Sequence, residues 1–453
     1  MSAGAGGTSG TSGTSIRPED TAAETEELLR SLLRFNTVNP PGDERPAQEH
    51  LAEHLTAAGL QCELIGAVAE RPNLIARLRA PGSGGGDGPT LCFLGHVDTV
   101  LADPREWTHD PWSGDSADGF VWGRGALDMK SQVAAEASAA AALARSGWRP
   151  SAGELLLVFV VDEETGGTLG AKWLTQTHPE KVRCDFLINE GGGPVFEYAG
   201  RRRYGVCCAE KGVFRFTIST SGVAGHASMP RMGDNALLKM APLLARLGER
   251  QPSYTLTDES RALLQALGED PADPAAAVAS MRENDPLLAI FFEPMLGVSF
   301  TPTRISASEK VNVIPSRSEL RIDCRTPPGL GEEEVRAGIA EVLGDGAYEI
   351  EFSERVIGNR SPARSALMDE ISAWIAAHDP GAETVPVMLP GFTDSRHFRD
   401  AFPECVAYGF FPHRHQSLLQ CAPLIHAPDE RIDVRDLAFA TQFFTDLAVG
   451  VLG

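Results

Sequence analysis

The sequence predicts a doubly wound, mostly parallel α/β catalytic domain interrupted by an inserted α+β domain of β-α-β-β-α-β, ferredoxin-like order. Three observations carry that prediction. Residues 90–94, 155–161 and 186–188 are short, nearly unbroken apolar runs, the pattern of strands buried on both faces of a parallel sheet. Helical segments at 129–146 and 170–177 follow the first and second runs, giving the strand-helix alternation of a doubly wound domain. From about residue 211 the character changes, and 213–219 and 318–323 alternate as in a sheet with one face open to water.

In chain order, residues 1–15 are Gly, Ser, Thr and Ala with one Met, and read as a disordered tail rather than a signal peptide, since neither a basic nor an apolar region is present. Residues 21–34 have helical spacing, with Leu28, Leu29, Leu32 and Leu33 on one face, and Asn39-Pro40-Pro41-Gly42 breaks the chain afterwards. A second helix is read at 47–58, short strands at 62–65 and 73–78, and a surface loop at the glycine run 81–88. The Ala-rich helix 129–146 ends at Gly147, which enters the left-handed region cheaply. In the inserted domain the reading is strand 213–220, helix 235–247, strands 298–307 and 318–325, helix 332–343 and strand 348–354, with an extra, partly helical segment at 249–292. A helix at 367–378 and a Pro/Gly-rich end return the chain to the first domain. The domains are therefore 16–210 and 358–453 for the catalytic part and 211–357 for the insertion.

At 453 residues the chain exceeds one ordinary core. Its formal charge of -22 argues against nucleic-acid binding, which calls for a basic patch. No stretch reaches the roughly 18 consecutive apolar residues of a membrane span. The 8 cysteines are scattered, never as C-x-x-C, and read as buried free thiols in a reducing cytoplasm.

Each of the three apolar runs stops on chemistry: Gly95-His96-Val97-Asp98, Asp162-Glu163-Glu164, and Asn189-Glu190 before three glycines. In parallel sheets ligands gather at the carboxyl ends of strands. An imidazole and several carboxylates converging there suit a divalent cation such as zinc, and the reading is a metallohydrolase. Taken singly, each signal has a bland alternative. His96 fits a strand-end histidine with a capping Asp98, although Asp98 is also placed to hold the ring. Asp128, in Gly123-Arg124-Gly125-Ala126-Leu127-Asp128-Met129-Lys130, fits a helix cap. That segment fails the dinucleotide pattern, having no third glycine at the required spacing and no strand expected directly before it. Glu163 and Glu164 fit a solvated acidic loop, yet adjacent carboxylates ending a buried strand are costly without a neutralising partner, and one can bind metal while the other faces water. Glu190 shares that ambiguity, and His426 alone fits a surface or core histidine.

Together these motifs resemble the co-catalytic zinc amidohydrolases and peptidases that include acetylornithine deacetylase, succinyl-diaminopimelate desuccinylase, aminoacylase, carnosinase and glutamate carboxypeptidase. The resemblance covers roughly residues 21–453 and adds Gly225-His226-Ala227-Ser228-Met229-Pro230, Gly391-Phe392-Thr393-Asp394 and the His426 segment in the family's order. It implies two zinc ions per subunit, with cobalt or manganese as substitutes: one held by His96, Asp128 and Glu190, the other by Asp128, Glu164 and His426. It implies Glu163 as general base, Asp98 orienting His96, and a homodimer formed through the inserted domain, which acts as a lid and brings His226 to the partner's site. Arg325 and Asn312 match substrate-facing positions, Arg325 for a carboxylate, whereas Gly391 and Thr393 line the pocket. Ser131 departs mildly from a frequent glycine, and 249–292 is a long addition. The implied reaction is hydrolysis of an amide in a small carboxylate-bearing substrate, of the N-acyl amino acid deacylase or desuccinylase type. A dipeptidase or carboxypeptidase, and a non-catalytic metal-binding homologue, stay open; a nicotinamide-dependent dehydrogenase is a poor third.

Overall fold

A computed structural model describes residues 17–82 and 88–453. The tail expected at 1–15, and most of the glycine loop expected at 81–88, lie outside the described residues. The chain forms two compact units, one ending its first stretch at Ile188 and resuming at Phe411, the other Asn189–Phe410.

In the first unit, strands run in the order Gln61–Ile65, Asn73–Arg79, Glu154–Val160, Thr90–His96, Phe186–Asn189. The last three pair in parallel, and the first two form an antiparallel edge. The three apolar runs are thus neighbouring parallel strands. Their register opposes Gly95 to Phe159 and His96 to Val160, so the imidazole and the acidic turn after Val160 leave the sheet at the same end.

Helix Lys130–Arg145 is buried from Lys130 to Ala144. Alanine explains this, because small side chains on every face let Pro18–Leu33, Arg45–Ala58 and the sheet approach without loss of helix propensity. The C-terminus corrects the expectation of a Pro/Gly-rich end. Val434–Leu452 is a helix burying Leu437, Ala440, Phe443, Phe444, Leu447 and Ala448, spaced three and four apart, and it packs on Lys130–Arg145. A second correction concerns Gly123: the short strand Phe120–Trp122 does precede it. That strand is antiparallel to Asp115–Ala117 and Arg431–Asp433 and belongs to a separate three-stranded sheet, not to a parallel nucleotide-binding core.

The second unit contains the expected four-stranded antiparallel sheet, ordered Ser299–Ser306, Arg317–Thr326, Gly212–Ser221, Glu349–Val356. Alternate residues Phe214, Phe216, Ile218, Leu320 and Ile322 pack beneath helices Ala236–Glu249 and Glu332–Leu343 through Met240, Leu243, Val335, Ile339 and Leu343. The same unit holds the antiparallel pair Pro194–Tyr198 and Arg201–Glu210, with Glu383–Leu389 added in parallel to the latter. The additional segment forms helices Asp258–Leu267, Pro274–Asn284 and Pro286–Phe292, and the first of them packs on Glu383–Leu389.

Lys211 anchors the end of that segment. Its side chain is 1% exposed and its ammonium donates to the carbonyls of Pro294 and Gly297, both at 2.6 Å. Burial pulls the amine down to about 8. An unfolded lysine titrates near about 10.4, so between these values the unfolded chain binds more protons and stability rises with pH. Relative to Lys211→Met, the wild type should gain up to about 3 kcal/mol between pH 8 and 10, read from urea midpoints, and a flat or falling difference contradicts the assignment.

Candidate metal centre

The centre is built on ends of strands and on turns. His96 is the last residue of its strand, and its side chain is buried. Nδ1 donates to the Asp98 carbonyl at 3.0 Å, and Nε2 faces Asp128 Oδ1 at 3.1 Å. The Asp98 carboxylate is farther from Nδ1, at 3.6 Å. It serves the next turn instead: Oδ1 and Oδ2 accept the N–H groups of Glu163 and Glu164, each at 3.2 Å. The ring is therefore oriented chiefly by the backbone of Asp98, and its side chain holds the acidic turn.

Asp128 does not cap the helix, which begins at Lys130 after Met129 without a side-chain cap. Its backbone is held by Glu430, a fully buried carboxylate that accepts the N–H groups of Leu127 at 2.6 Å, Asp128 at 2.9 Å and Gly125 at 3.1 Å, and Arg124 Nη1 at 2.6 Å. Arg124 also donates to the Ala427 carbonyl at 3.2 Å, tying the Asp128 turn to the residue after His426. His426 itself has φ 60, a left-handed conformation for a non-glycine residue, which aims its ring at the acids. His426 Nε2 lies 3.0 Å from Asp128 Oδ2 and 3.4 Å from Glu164 Oε2. The two oxygens of Asp128 thus face two different imidazoles.

Glu163 follows Asp162 in the short 3-10 turn Glu163–Thr165, beside Glu164. Glu164 Oε1 is buried with no hydrogen-bond partner. Burial pushes the Asp128 carboxyl up, but hydrogen bonds from His426 and His96 outweigh it and hold the group well below the usual carboxylate range. Hydrogen bonds to Asp128 and then Glu164 push His426 up to about 10. The pocket therefore demands positive charge. Asp128, Glu164 and His426 offer ligand atoms all within 4.8 Å of one another. Ligands about 2.0–2.2 Å from a tetrahedral zinc stand roughly 3.4 Å apart, which matches the spacings here. The nitrogen and carboxylate donors, their separations and the orphaned Glu164 oxygen all fit a divalent cation.

Glu190 follows the strand Phe186–Asn189, whose residues 186–188 pair with Leu91, Cys92 and Phe93 of the His96 strand. Within the second unit, His226 lies on the two-residue bridge Gly225–His226 opposite Val313–Ile314, and the Asn312 carbonyl accepts the N–H of Ala227 at 3.0 Å. Its Nδ1 accepts from the Ser228 N–H at 3.2 Å, so a neutral ring carries its proton on Nε2. Arg325 is engaged by Asp323 through Nε at 2.6 Å and Nη2 at 3.4 Å, and Nη1 donates to the Pro390 carbonyl at 3.3 Å, beside Gly391.

Thr393 is held within its loop. Its hydroxyl donates to Glu210 at 2.8 Å and accepts from Asn189 Nδ2 and the Ser395 N–H, both at 3.2 Å. One hydrogen and two lone pairs are all used, so the hydroxyl braces its loop. Sequence reasoning also missed Glu430 and Asn39. Glu430, four residues after His426, carries no local pattern that gives it a role, and Asn39 reads only as part of a chain break.

The family model of peptidase family M20/M25/M40 matches residues 92–449, which contain every residue of this centre. The chain belongs to peptidase family M20/M25/M40. As a member of that metallopeptidase family it is a hydrolase of amide bonds. Similar curated proteins include succinyl-diaminopimelate desuccinylase of Paracoccus denitrificans (strain Pd 1222), 27% identical over 91% of this chain and 95% of that protein. Probable carboxypeptidase S-like 2 of Dictyostelium discoideum is 26% identical over 79% of this chain and 70% of that protein. Among solved structures, the M20 family metallo-carboxypeptidase Sso-CP2 from Sulfolobus solfataricus has a TM-score of 0.69 at 17% identity, covering 94% of this chain and 98% of its own. Human carnosine dipeptidase 1 has a TM-score of 0.64 at 16% identity, over 95% and 97%. These two structures support the M20 fold. None of the 8 cysteines is in a disulfide, and 7 of them are buried. No helix among the described residues is long and apolar enough to cross a membrane.

Proposed function

We propose that this M20 member is a zinc-dependent, desuccinylase-type deacylase that cleaves the amide of a small N-acylated substrate bearing a free carboxylate. The observation that carries the reading is Asp128 presenting one oxygen to His96 and the other to His426, with Glu163 beside the Glu164 ligand. The desuccinylase relative, similar along nearly its whole length, supports the acyl class. His96, Asp128 and Glu190 would hold one ion, and Asp128, Glu164 and His426 the other. Zinc suits these donors, and cobalt or manganese can replace it. When bound, the ions polarise the scissile carbonyl and make water acidic enough to lose a proton near neutral pH.

The chain's own residues do the rest. Glu163 takes a proton from the attacking water as its oxygen bonds to the carbonyl carbon. The C–N bond then breaks and Glu163 hands that proton to the departing nitrogen, leaving a carboxylic acid and an amine. His226 donates its Nε2–H to the oxyanion. In a homodimer formed through the inserted domain, His226 comes from the neighbouring subunit. Arg325 grips the substrate carboxylate, with Asn312 and Gly391 adjoining the substrate and no nucleic acid or membrane involved. We assign residues 16–210 and 358–453 to the catalytic domain and 211–357 to the insertion; the four-stranded sheet falls wholly within the latter range, which supports that boundary. Buried thiols outside any disulfide support a cytoplasmic setting.

The test is amine release by the zinc-loaded protein on N-succinyl, N-acetyl and N-formyl amino acids and on dipeptides. Preference for N-succinyl substrates is the expected result. Turnover of dipeptides alone favours the dipeptidase or carboxypeptidase alternative, for which the Dictyostelium discoideum relative speaks. Silence across the panel with two metals bound means a substrate outside these classes or a non-catalytic homologue. On the preferred substrate, Arg325→Ala should raise KM about tenfold or more with kcat little changed, the loss of a charge-assisted contact worth about 1.5–3 kcal/mol. An unchanged KM removes Arg325 from the substrate site and leaves it as the partner of Asp323.

A further inference from the structure

We propose that Asn39 is a positioning residue for the reaction, its side-chain amide bracing the turn that carries Glu163 and Glu164 through the carboxylates of Asp98 and Asp162. Asn39 is 5% exposed, and Nδ2 donates to Asp98 Oδ2 at 2.9 Å, Thr165 Oγ1 at 3.1 Å and Asp162 Oδ1 at 3.2 Å. Two hydrogens serve three acceptors spread over the whole acidic turn. Asp98 in turn accepts the backbone N–H groups of Glu163 and Glu164. The base and the metal ligand therefore hang from one carboxylate that Asn39 holds in place.

The brace is itself fixed. The Asn39 N–H donates to the Thr99 carbonyl at 2.9 Å, and Val38 bridges Thr99 in parallel, so this short segment extends the sheet just beyond His96. Asp162 takes the left-handed conformation, φ 73, and its carboxylate is further held by Thr165, Thr168 and the Leu169 N–H. Two carboxylates, Asp98 and Asp162, converge on the neutral Asn39 amide, and the Arg71 guanidinium reaches Asp162 from another side at 3.4 Å. Only a short side chain ending in N–H groups satisfies both, because a carboxylate of the same shape adds a third acceptor where two already meet.

That shape argument sets the test, which rests on the reading of Glu163 as base. Asn39→Asp keeps the volume and removes the donor; Asn39→Ala removes both. A merely space-filling role makes the isostere the milder change, whereas a donor role makes it as damaging as alanine or worse. On the preferred amide substrate Asn39→Asp should lower kcat about 10–100-fold with KM within about twofold, and weaken Co2+ binding about tenfold, the range seen when groups that orient metal ligands are replaced. Thermal midpoints establish that each variant folds, and Asn39→Ala carries the kcat and Co2+ measurements if Asn39→Asp does not fold. Wild-type kcat and Co2+ affinity in a folded variant, or a milder loss in Asn39→Asp than in Asn39→Ala, overturns the proposal. Turnover within about tenfold of wild type in Glu163→Ala ends the base reading alone, since the Co2+ affinity still reports whether Asn39 braces Glu164.

Discussion

Glu163→Ala should abolish amide hydrolysis while the protein keeps its full metal content. Removing a general base costs about 10²–10⁴ in rate, and here the same carboxylate must also return the proton to the leaving nitrogen, so the loss belongs at the upper end. Metal content is unaffected because the ligand atoms come from Glu164 and its partners, and because the Glu163 backbone N–H that binds Asp98 survives the substitution. The measurements are single-substrate kcat and metal analysis after desalting. Turnover within about tenfold of wild type excludes Glu163 as the base. Loss of metal together with activity assigns it to the ligand set instead.

Asp128→Ala should empty both metal positions, whereas His426→Ala should empty one. The asymmetry follows from geometry: Asp128 directs one oxygen to His96 Nε2 at 3.1 Å and the other to His426 Nε2 at 3.0 Å. His426 Nε2 contacts the Asp128 and Glu164 pair. A bound ion stabilises the native state by RT ln(1 + [L]/Kd), about 4 kcal/mol at a thousandfold excess over Kd. Wild-type protein should therefore show a thermal midpoint that climbs with added zinc, His426→Ala a smaller climb, and Asp128→Ala almost none. An Asp128→Ala protein that retains one tightly bound ion refutes the bridging role.

Much of this site is legible from local pattern. His96, Glu163, Glu164 and Glu190 each end an apolar run, and a strand buried on both faces needs such a run wherever it sits in the sheet. The β-α-β-β-α-β order was equally visible, since alternation along 213–219 and 318–323 reports one buried and one wet face. The C-terminal helix Val434–Leu452 carries a helical period in Leu437, Ala440, Phe443, Phe444 and Leu447, but the prolines and glycines that precede it mask that signal.

What the sequence by itself determined is the set of chemical groups and the order in which strands deliver them, because hydrophobic period and strand ends are properties of a few adjacent residues. Tertiary structure alone decided which group holds which. Glu430 supports Asp128 across 302 residues, Asn39 reaches Asp162 across 123, and Glu210 saturates Thr393 across 183. Such contacts leave no periodic trace, since any buried carboxylate must find donors and the chain does not state locally where they are. The ligands could be read from residue types; the hydrogen bonds that aim them became readable only once the folded chain had brought distant donors within 3 Å or so of their acceptors.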